Sequence, residues 1–175
     1  MIIVFEGPDG AGKTTLITHL SQKFNLPIIK MPKAHETFHD WKVLNALSEN
    51  YDRMLDQIAV SQSTFLVDRG LLSGLVYSKV YNRGNDVSYI WDIIKRNHSI
   101  FFIICVGDSD KLLARKKDAI IDPDNLRKIN EEYKSLARGL QRLIRRSIVI
   151  DTTEKSMEDC NTIVETYYRA YVGTT

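Results

Sequence analysis

Long hydrophobic runs, cysteines and an excess of either charge are all scarce in this sequence of 175 residues. Its longest apolar run, Ile100–Val106, has the length of a buried strand and is far too short to span a bilayer. Lysine and arginine number 24 against 22 aspartates and glutamates, and this net charge of +2 is too weak to indicate a nucleic-acid or membrane partner, so we expect neither. The two cysteines, Cys105 and Cys160, have no histidines at zinc-site spacing, and the first residues lack a basic signal-peptide start. We therefore expect free thiols and a cytoplasmic protein.

The composition is instead typical of one folded domain. Hydrophobic residues make up 43% of the chain and charged residues 26%, as in ordinary globular proteins. A chain of this size can bury one sizeable core, and no repeat or Pro/Gly/Ser-rich linker divides it. We therefore predict a single domain over residues 1–175.

Short apolar runs alternate with longer amphipathic segments along the chain. The runs predict strands at 1–6, 26–30, 64–68, 100–106 and 147–151. The amphipathic segments predict helices at 13–24, 41–62, 72–81, 87–96, 109–117, 123–145 and 156–171. Asp86, Ser109 and Ser156 stand where they could cap three of these helices. The alternation implies an α/β fold in which helices cover both faces of a five-stranded parallel sheet, with ligands at the carboxyl ends of the strands.

A glycine-rich loop follows the first predicted strand. Residues 7–14 read G-P-D-G-A-G-K-T and fit the phosphate-binding pattern G-x-x-x-x-G-K-[ST] at every fixed position. Glycines let backbone N–H groups turn toward phosphate oxygens, and the helix that follows adds its positive end. A lysine at position 13 reaches the β- and γ-phosphates, and a threonine hydroxyl at position 14 can ligate Mg²⁺. The candidate ATP-binding residues here are Gly7, Gly10, Ala11, Gly12, Lys13, Thr14 and Thr15.

Such a loop does not by itself name the reaction. Small GTPases carry the same loop together with a base-reading N-K-x-D motif, and this sequence has no such tetrapeptide. It also has no D-x-x-G switch motif outside the loop. The sequence therefore disfavours a GTPase switch.

Two blocks of the sequence resemble thymidylate (dTMP) kinases. Residues 5–15, F-E-G-P-D-G-A-G-K-T-T, are similar to the family's opening F-E-G-x-D-G-x-G-K-T-T, and residues 67–77 resemble its D-R-Y-x-x-S-x-x-A-[YF] segment. The segment around residues 115–125 stands where the family has a short lid. The resemblance covers nearly the whole chain. It implies a P-loop kinase fold and transfer of a phosphoryl group from ATP with Mg²⁺ to a deoxynucleoside monophosphate, with dTMP as the leading candidate.

The chain departs from the family pattern at three places. Gly70 replaces the tyrosine that follows Asp-Arg, and the lid has one arginine followed by two lysines where more arginines are usual. The region before Asp68 is several residues short, so Arg53 is the best candidate for the substrate-reading arginine. These departures concern base specificity more than phosphate chemistry.

The resemblance implies roles for several acceptor-side residues. It puts Asp9 against the acceptor's sugar hydroxyl, and Ser73 and Tyr77 near its base, although Tyr77 could equally pack in the core. Asp68 ends a buried strand at the ligand edge, where it could order Mg²⁺ or the acceptor phosphate. Arg69 suits a bidentate clamp on that phosphate. The alternatives are a turn aspartate at position 9 and a strand-end ion pair at 68 and 69.

Arg115, Lys116 and Lys117 end a predicted helix. They could simply complement the helix C-terminus. The resemblance instead implies a lid, with Arg115 stacked on adenine and a lysine at the transferring phosphate. With Lys13, Asp68 and Arg69, Arg115 completes the set of predicted catalytic residues.

Two other functions remain open from the sequence. A deoxynucleoside kinase would need a carboxylate base after the second strand, where Glu36 comes several residues late. A non-catalytic nucleotide-binding protein would bind without turnover. The helix predicted at 41–62 could pair two copies into a homodimer.

Overall fold

Five parallel strands form one sheet in the computed structural model of the chain, which describes residues 1–31, 41–84, 86–115 and 122–171. The strands are β1 (Ile2–Glu6), β2 (Ile28–Lys30), β3 (Phe65–Asp68), β4 (Ile100–Val106) and β5 (Ser147–Asp151). They are arranged in the order β2-β3-β1-β4-β5. In the register of the sheet, Val4 of β1 lies between Val67 of β3 and Phe102 of β4. The predicted five-stranded parallel sheet is confirmed.

Seven helices connect or follow these strands in the described part of the chain. They are α1 (Lys13–Phe24), α2 (Trp41–Ala59), α3 (Leu71–Val80), α4 (Ser88–Arg96), α5 (Ser109–Arg115), α6 (Pro123–Leu143) and α7 (Met157–Tyr171). Each predicted helix therefore exists, and most of the described ends agree with the prediction to within two residues. The largest described difference is in α2, which stops three residues before the predicted end at 62.

The sheet is covered on both faces because its side chains alternate between two apolar layers. Ile2 and Val4 of β1 belong to a core that also contains residues of α2, α3, α4 and α6. Ile3 and Phe5 belong to the opposite core, formed mainly with α1, α5 and α7. Cys105 of β4 and Cys160 of α7 are buried free thiols in this second core, as the sequence predicted. None of the described helices is long and apolar enough to cross a membrane.

Capping explains where several helices begin. The Asp86 carboxylate accepts a hydrogen bond from the amide of Ser88 at 2.8 Å. Ser156 and Asp159 form the reciprocal pair expected before α7, at 2.7 and 3.1 Å. The predicted cap of α5 was wrong. Asp108 makes that cap, because its carboxylate accepts from the amides two and three residues later at 3.1 and 2.9 Å.

Candidate active site

Three glycines shape the loop between β1 and α1. Gly7, Gly10 and Gly12 all have positive φ values, of 140°, 78° and 74°. A Cβ atom at position 7 would overlap the carbonyl oxygen of Cys105, and one at position 10 would lie 2.7 Å from the carbonyl oxygen of Leu112. The loop therefore needs glycine for both its backbone conformation and its close contact with β4 and α5.

Lys13 starts α1 and folds back over this loop. Its Nζ donates a hydrogen bond of 2.7 Å to the carbonyl oxygen of Pro8. Burial and the charge of Arg69 together lower the pKa of Lys13 to about 7, although Asp9 and Asp68 oppose the shift. The ammonium group is thus poorly compensated until an anion arrives, which is the property of a phosphate-binding lysine.

Thr14 and Thr15 are exposed at the start of α1, next to the loop. Asp68 ends β3, and its charge is felt by Lys13. No group of three or more His, Cys, Asp or Glu side chains in the described ranges could hold a metal ion. The hydroxyl of Thr14 and the carboxylate of Asp68 are hard oxygen donors, so they fit a Mg²⁺ ion that takes its remaining ligands from phosphate and water.

Arg69 and Asp9, which the sequence analysis assigned to the phosphate and the sugar of the acceptor, are brought together across the loop. Arg69 has a left-handed backbone with φ of 69°, which is strained for a residue with a side chain. Its guanidinium donates to the carbonyl oxygen of Gly7 at 3.0 Å and forms an ion pair with Asp9. It also lies 5.6 Å from the ring centre of Tyr77. Tyr77 is therefore at the edge of the site, partly packed against the core.

A second arginine, Arg83, lies beside the same aromatic ring. Its guanidinium is 6.0 Å from the ring of Tyr77 and 5.5 Å from that of Tyr81, and the two rings stack at 6.0 Å. Burial lowers the pKa of Arg83. Sequence reasoning missed this residue. The turn-forming pattern Y-N-R-G directly after α3, with positive φ at Asn82 and Gly84, is the signal that could have indicated it.

Glu6 is the other residue that sequence reasoning missed. It is fully buried, and burial raises the pKa of its carboxyl group. Its oxygens accept hydrogen bonds from the amides at the start of α3 and from the hydroxyls of Ser73 and Tyr133. Ser73 was expected to face the acceptor base, but its hydroxyl is buried and donates to Glu6 at 2.6 Å. A glutamate that ends a wholly buried strand was the available signal.

The described contacts of Arg53 and Arg115 are with residues other than Asp9 and Arg69. Arg53 is exposed on α2, where it pairs with Glu49 and lies 5.7 Å from the ring of Tyr89. Arg115 ends α5 and donates to the hydroxyl and the carbonyl oxygen of Thr152, at 3.2 and 2.8 Å. It therefore rests on the segment after β5. Lys116 and Lys117 lie outside the described residues, as does most of the predicted lid at 115–125.

The departure at Gly70 has a packing reason. A Cβ at this position would lie 2.9 Å from Leu55 of α2 and 3.3 Å from Val4 of β1. A tyrosine at this position would therefore require the side chain of Leu55 to move.

A family model described as an AAA domain matches residues 2–151 of this chain. The chain belongs to this family. This AAA-domain chain is also 29% identical over 188 residues to a protein of Methanocaldococcus jannaschii named as a probable thymidylate kinase, an alignment that covers 97% of the chain and 96% of that relative. The resemblance to thymidylate kinases is thereby confirmed.

Solved structures share the fold of this AAA-domain chain. Thymidylate kinase from Candida albicans superimposes with a TM-score of 0.69 at 15% identity, over 97% of this chain and 91% of that one. Deoxyadenosine kinase from M. mycoides superimposes with a TM-score of 0.68 at 17% identity, over 97% and 99%. The P-loop kinase fold is therefore confirmed. Together the comparisons support a phosphotransferase of the nucleotide or deoxynucleoside kinase class.

Proposed function

We propose that this protein is a nucleoside monophosphate kinase that transfers the γ-phosphoryl group of ATP to a deoxynucleoside monophosphate, with dTMP as the preferred acceptor. The observation that carries the proposal is the position of Arg69. Its guanidinium contacts the first carbonyl of the phosphate loop and the carboxylate of Asp9, so it lies where an acceptor phosphate would meet the donor. A guanidinium held there is suited to bidentate phosphate binding.

The donor side follows from the loop. The amides of the loop and the ammonium of Lys13 would hold the β- and γ-phosphates, and the approach of these anions would restore the charge of the buried lysine. Thr14 and Asp68 would hold Mg²⁺, which supplies charge neutralisation on the transferring group when bound. Transfer between two phosphates held in line needs little further chemistry from the protein.

The acceptor side requires an exchange of partners. Arg69 would leave Asp9 for the acceptor phosphate, which frees the Asp9 carboxylate to accept a hydrogen bond from the sugar hydroxyl. Tyr77 and Arg83 would line the same end of the pocket. Arg53 is the weakest candidate of the predicted set, because its described contacts are with Glu49 and Tyr89 on the outer side of α2.

The adenine side is assigned to Arg115, with Lys116 and Lys117 as lid residues. The support is the contact of Arg115 with Thr152, which holds the guanidinium over the segment that follows β5. In a parallel sheet that segment opens at the ligand edge.

A deoxynucleoside kinase is the second candidate function. Asp9 favours it, because this carboxylate of the phosphate loop could accept the proton of a sugar hydroxyl once Arg69 no longer pairs with it. A non-catalytic nucleotide-binding protein is a third, and it would bind ATP without any acceptor-dependent turnover.

One panel separates these three functions. ADP release is measured with Mg²⁺–ATP and each deoxynucleoside and each deoxynucleoside monophosphate in turn. The proposal expects turnover with monophosphates and highest kcat/KM with dTMP. Preference for an unphosphorylated nucleoside would establish the second candidate. ATP binding with no turnover on any acceptor would establish the third.

We further propose that α2 pairs two copies of the chain. Val43, Leu47 and Met54 are 37%, 40% and 37% exposed, and their spacing places them on one face of the helix. Leu47→Glu should then give a monomer in sedimentation velocity. Val60→Glu is the matched control, because Val60 is 74% exposed just beyond the end of α2. Equal sedimentation of both variants and the wild type would contradict the proposed dimer face.

A further inference from the structure

We propose that Glu6 is a positioning residue for Arg69, and that Ser73 and Tyr133 hold Glu6 in place from the core. The inference rests on the proposed function in one respect only, the binding of the acceptor by Arg69.

The first oxygen of the Glu6 carboxylate holds the start of α3. Oε1 accepts hydrogen bonds from the amides of Gly70 and Leu72 at 3.0 Å each and from the amide of Ser73 at 3.3 Å. These are amides of a helix start, which have no partner within the helix and favour a negative charge. Glu6 therefore fixes the residue that directly follows Arg69.

Two consecutive backbone amides, those of Arg69 and of the next residue, are hydrogen-bonded to β1. Its amide donates to the carbonyl oxygen of Phe5 at 3.0 Å, and the next amide, of Gly70, donates to Glu6. The left-handed conformation of Arg69 is unfavourable for a residue with a side chain, so it persists only where the surroundings enforce it. Two consecutive residues of β1 provide that enforcement.

The second oxygen of the carboxylate is held from two helices. Oε2 accepts from the hydroxyl of Ser73 at 2.6 Å and from that of Tyr133 at 3.1 Å, and the two hydroxyls lie 2.9 Å apart. All three side chains are buried. Tyr133 belongs to α6, the helix whose first residues overlap the end of the predicted lid segment at 115–125. The network therefore links the orientation of Arg69 to the position of α6.

Two simpler roles of Glu6 make different predictions. If Glu6 only stabilises the fold, weakening its contacts lowers thermal stability and leaves acceptor affinity unchanged. If Glu6 acts only through its charge, its neutralisation leaves more positive charge at Arg69 and tightens the binding of an anionic acceptor. A positioning role predicts weaker acceptor binding, because the guanidinium is no longer held at the right place.

Tyr133→Phe and Ser73→Ala are the primary test variants, because each removes one hydroxyl without a change of charge. We expect each to raise the acceptor KM roughly 3- to 10-fold, the scale of one hydrogen bond, with the ATP KM within about twofold of wild type. Glu6→Gln keeps the shape and removes the charge, and we expect it to raise the acceptor KM as well. Val164→Ala in α7, on the other face of the sheet, is the control for lost stability. It should lower Tm without moving either KM.

A double-mutant cycle tests whether the effect passes through Arg69. In an Arg69→Lys background, Tyr133→Phe should add less than about twofold to the acceptor KM, because the anchor that it positions is already lost. Additive effects would overturn the proposal, as would an unchanged acceptor KM in Tyr133→Phe or a lowered one in Glu6→Gln. Amide hydrogen exchange at Gly70 and Leu72 gives a readout without turnover, and it should be faster in Tyr133→Phe.

The acceptor panel on wild type keeps the two proposals separate. If wild type prefers an unphosphorylated nucleoside, the monophosphate kinase proposal fails, and the cycle is measured with that nucleoside. Coupling between Tyr133 and Arg69 in that cycle would still support the positioning role, and its absence would overturn it.

Discussion

Lys13 is expected to take up a proton when nucleotide binds, so that ATP affinity falls as pH rises above neutrality. Its side chain is 6% exposed, and burial followed by the charge of Arg69 lowers its pKa to about 7 from an ordinary value of 10.5. Bound phosphates supply the negative charge that the empty loop lacks, and this moves the pKa back up. Above pH 7 the free loop is increasingly neutral, and binding must first restore the proton.

The size of this effect follows from the pKa. Each pH unit above the free value costs about 1.4 kcal/mol, which is about tenfold in affinity. At pH 8.5 the cost is therefore about 2 kcal/mol relative to pH 6. The effect of pH on folding stability through Lys13 has the opposite sign to its effect on ATP affinity. An unfolded lysine keeps its proton up to about pH 10.5, so the unfolded chain binds more protons between pH 7 and 10.5. Lys13 therefore raises the free energy of unfolding of the nucleotide-free chain as pH rises through that window.

Isothermal titration calorimetry with a non-hydrolysable ATP analogue and Mg²⁺ measures the uptake directly. At pH 8, titrations in two buffers of different ionisation enthalpy should give a heat difference equivalent to nearly one proton per nucleotide. Lys13→Met is the control, because it binds more weakly but has no group to titrate at this position. Zero uptake in wild type, or equal uptake in Lys13→Met, would refute the reasoning.

Three further substitutions test other parts of the site. Arg69→Lys keeps the charge but loses the planar fork of the guanidinium. The acceptor KM should therefore rise by a factor that corresponds to about 1.5–3 kcal/mol, while the ATP KM stays fixed. An unchanged acceptor KM in steady-state kinetics would contradict the phosphate clamp. Arg115→Ala should weaken ATP binding by about 1–2 kcal/mol if the guanidinium stacks on adenine. If calorimetry shows a change in Tm alone, Arg115 is only a cation at the end of a helix. Asp52→Asn should raise Tm at pH 8 and leave it nearly unchanged at pH 3.5. Burial raises the pKa of Asp52 from 3.8 to about 7 against the hydrogen bond from Tyr89, so this carboxyl group lowers the free energy of unfolding increasingly as pH rises through that window. Equal pH dependence of Tm in both proteins would show that Asp52 is not the titrating group.

The sequence predicted the fold well because its signals are local. Each strand is a short apolar run and each helix has an amphipathic period, and both are readable without knowledge of the partners. The errors in the predicted boundaries lie where tertiary contacts determine the end of a strand or helix. Strand β2 begins at Ile28 instead of residue 26, because Pro27 has no amide to donate. The helix α2 ends early, where the carbonyl oxygens of Ser61 and Ser63 accept hydrogen bonds from the amino group of Met1.

The site was predicted in its motifs and missed in its supporting contacts. The phosphate loop follows from its spacing, and the ligand edge of a parallel sheet indicates the place of Arg69, but the ion pair of Arg69 with Asp9 was not predicted. Glu6, Tyr133 and Arg83 could not be assigned that way, because their roles depend on side chains far away in sequence. Ser73 shows the same limit, since helical spacing places it beside Tyr77 and only the buried carboxylate of Glu6 decides where its hydroxyl points.

The reactivity of the two buried thiols can be used to measure opening motions of the molecule. Cys105 is in β4, an interior strand of the sheet, and burial raises its pKa to about 12, so it should react with a thiol reagent only when the sheet itself opens. Cys160 is on the outer helix α7, so detachment of that helix alone would expose it. Labelling rates of Cys105→Ser and Cys160→Ser single-thiol variants would then separate local from global opening. Because Gly7 packs directly on the backbone of Cys105, ATP should slow the labelling of Cys105 more than that of Cys160.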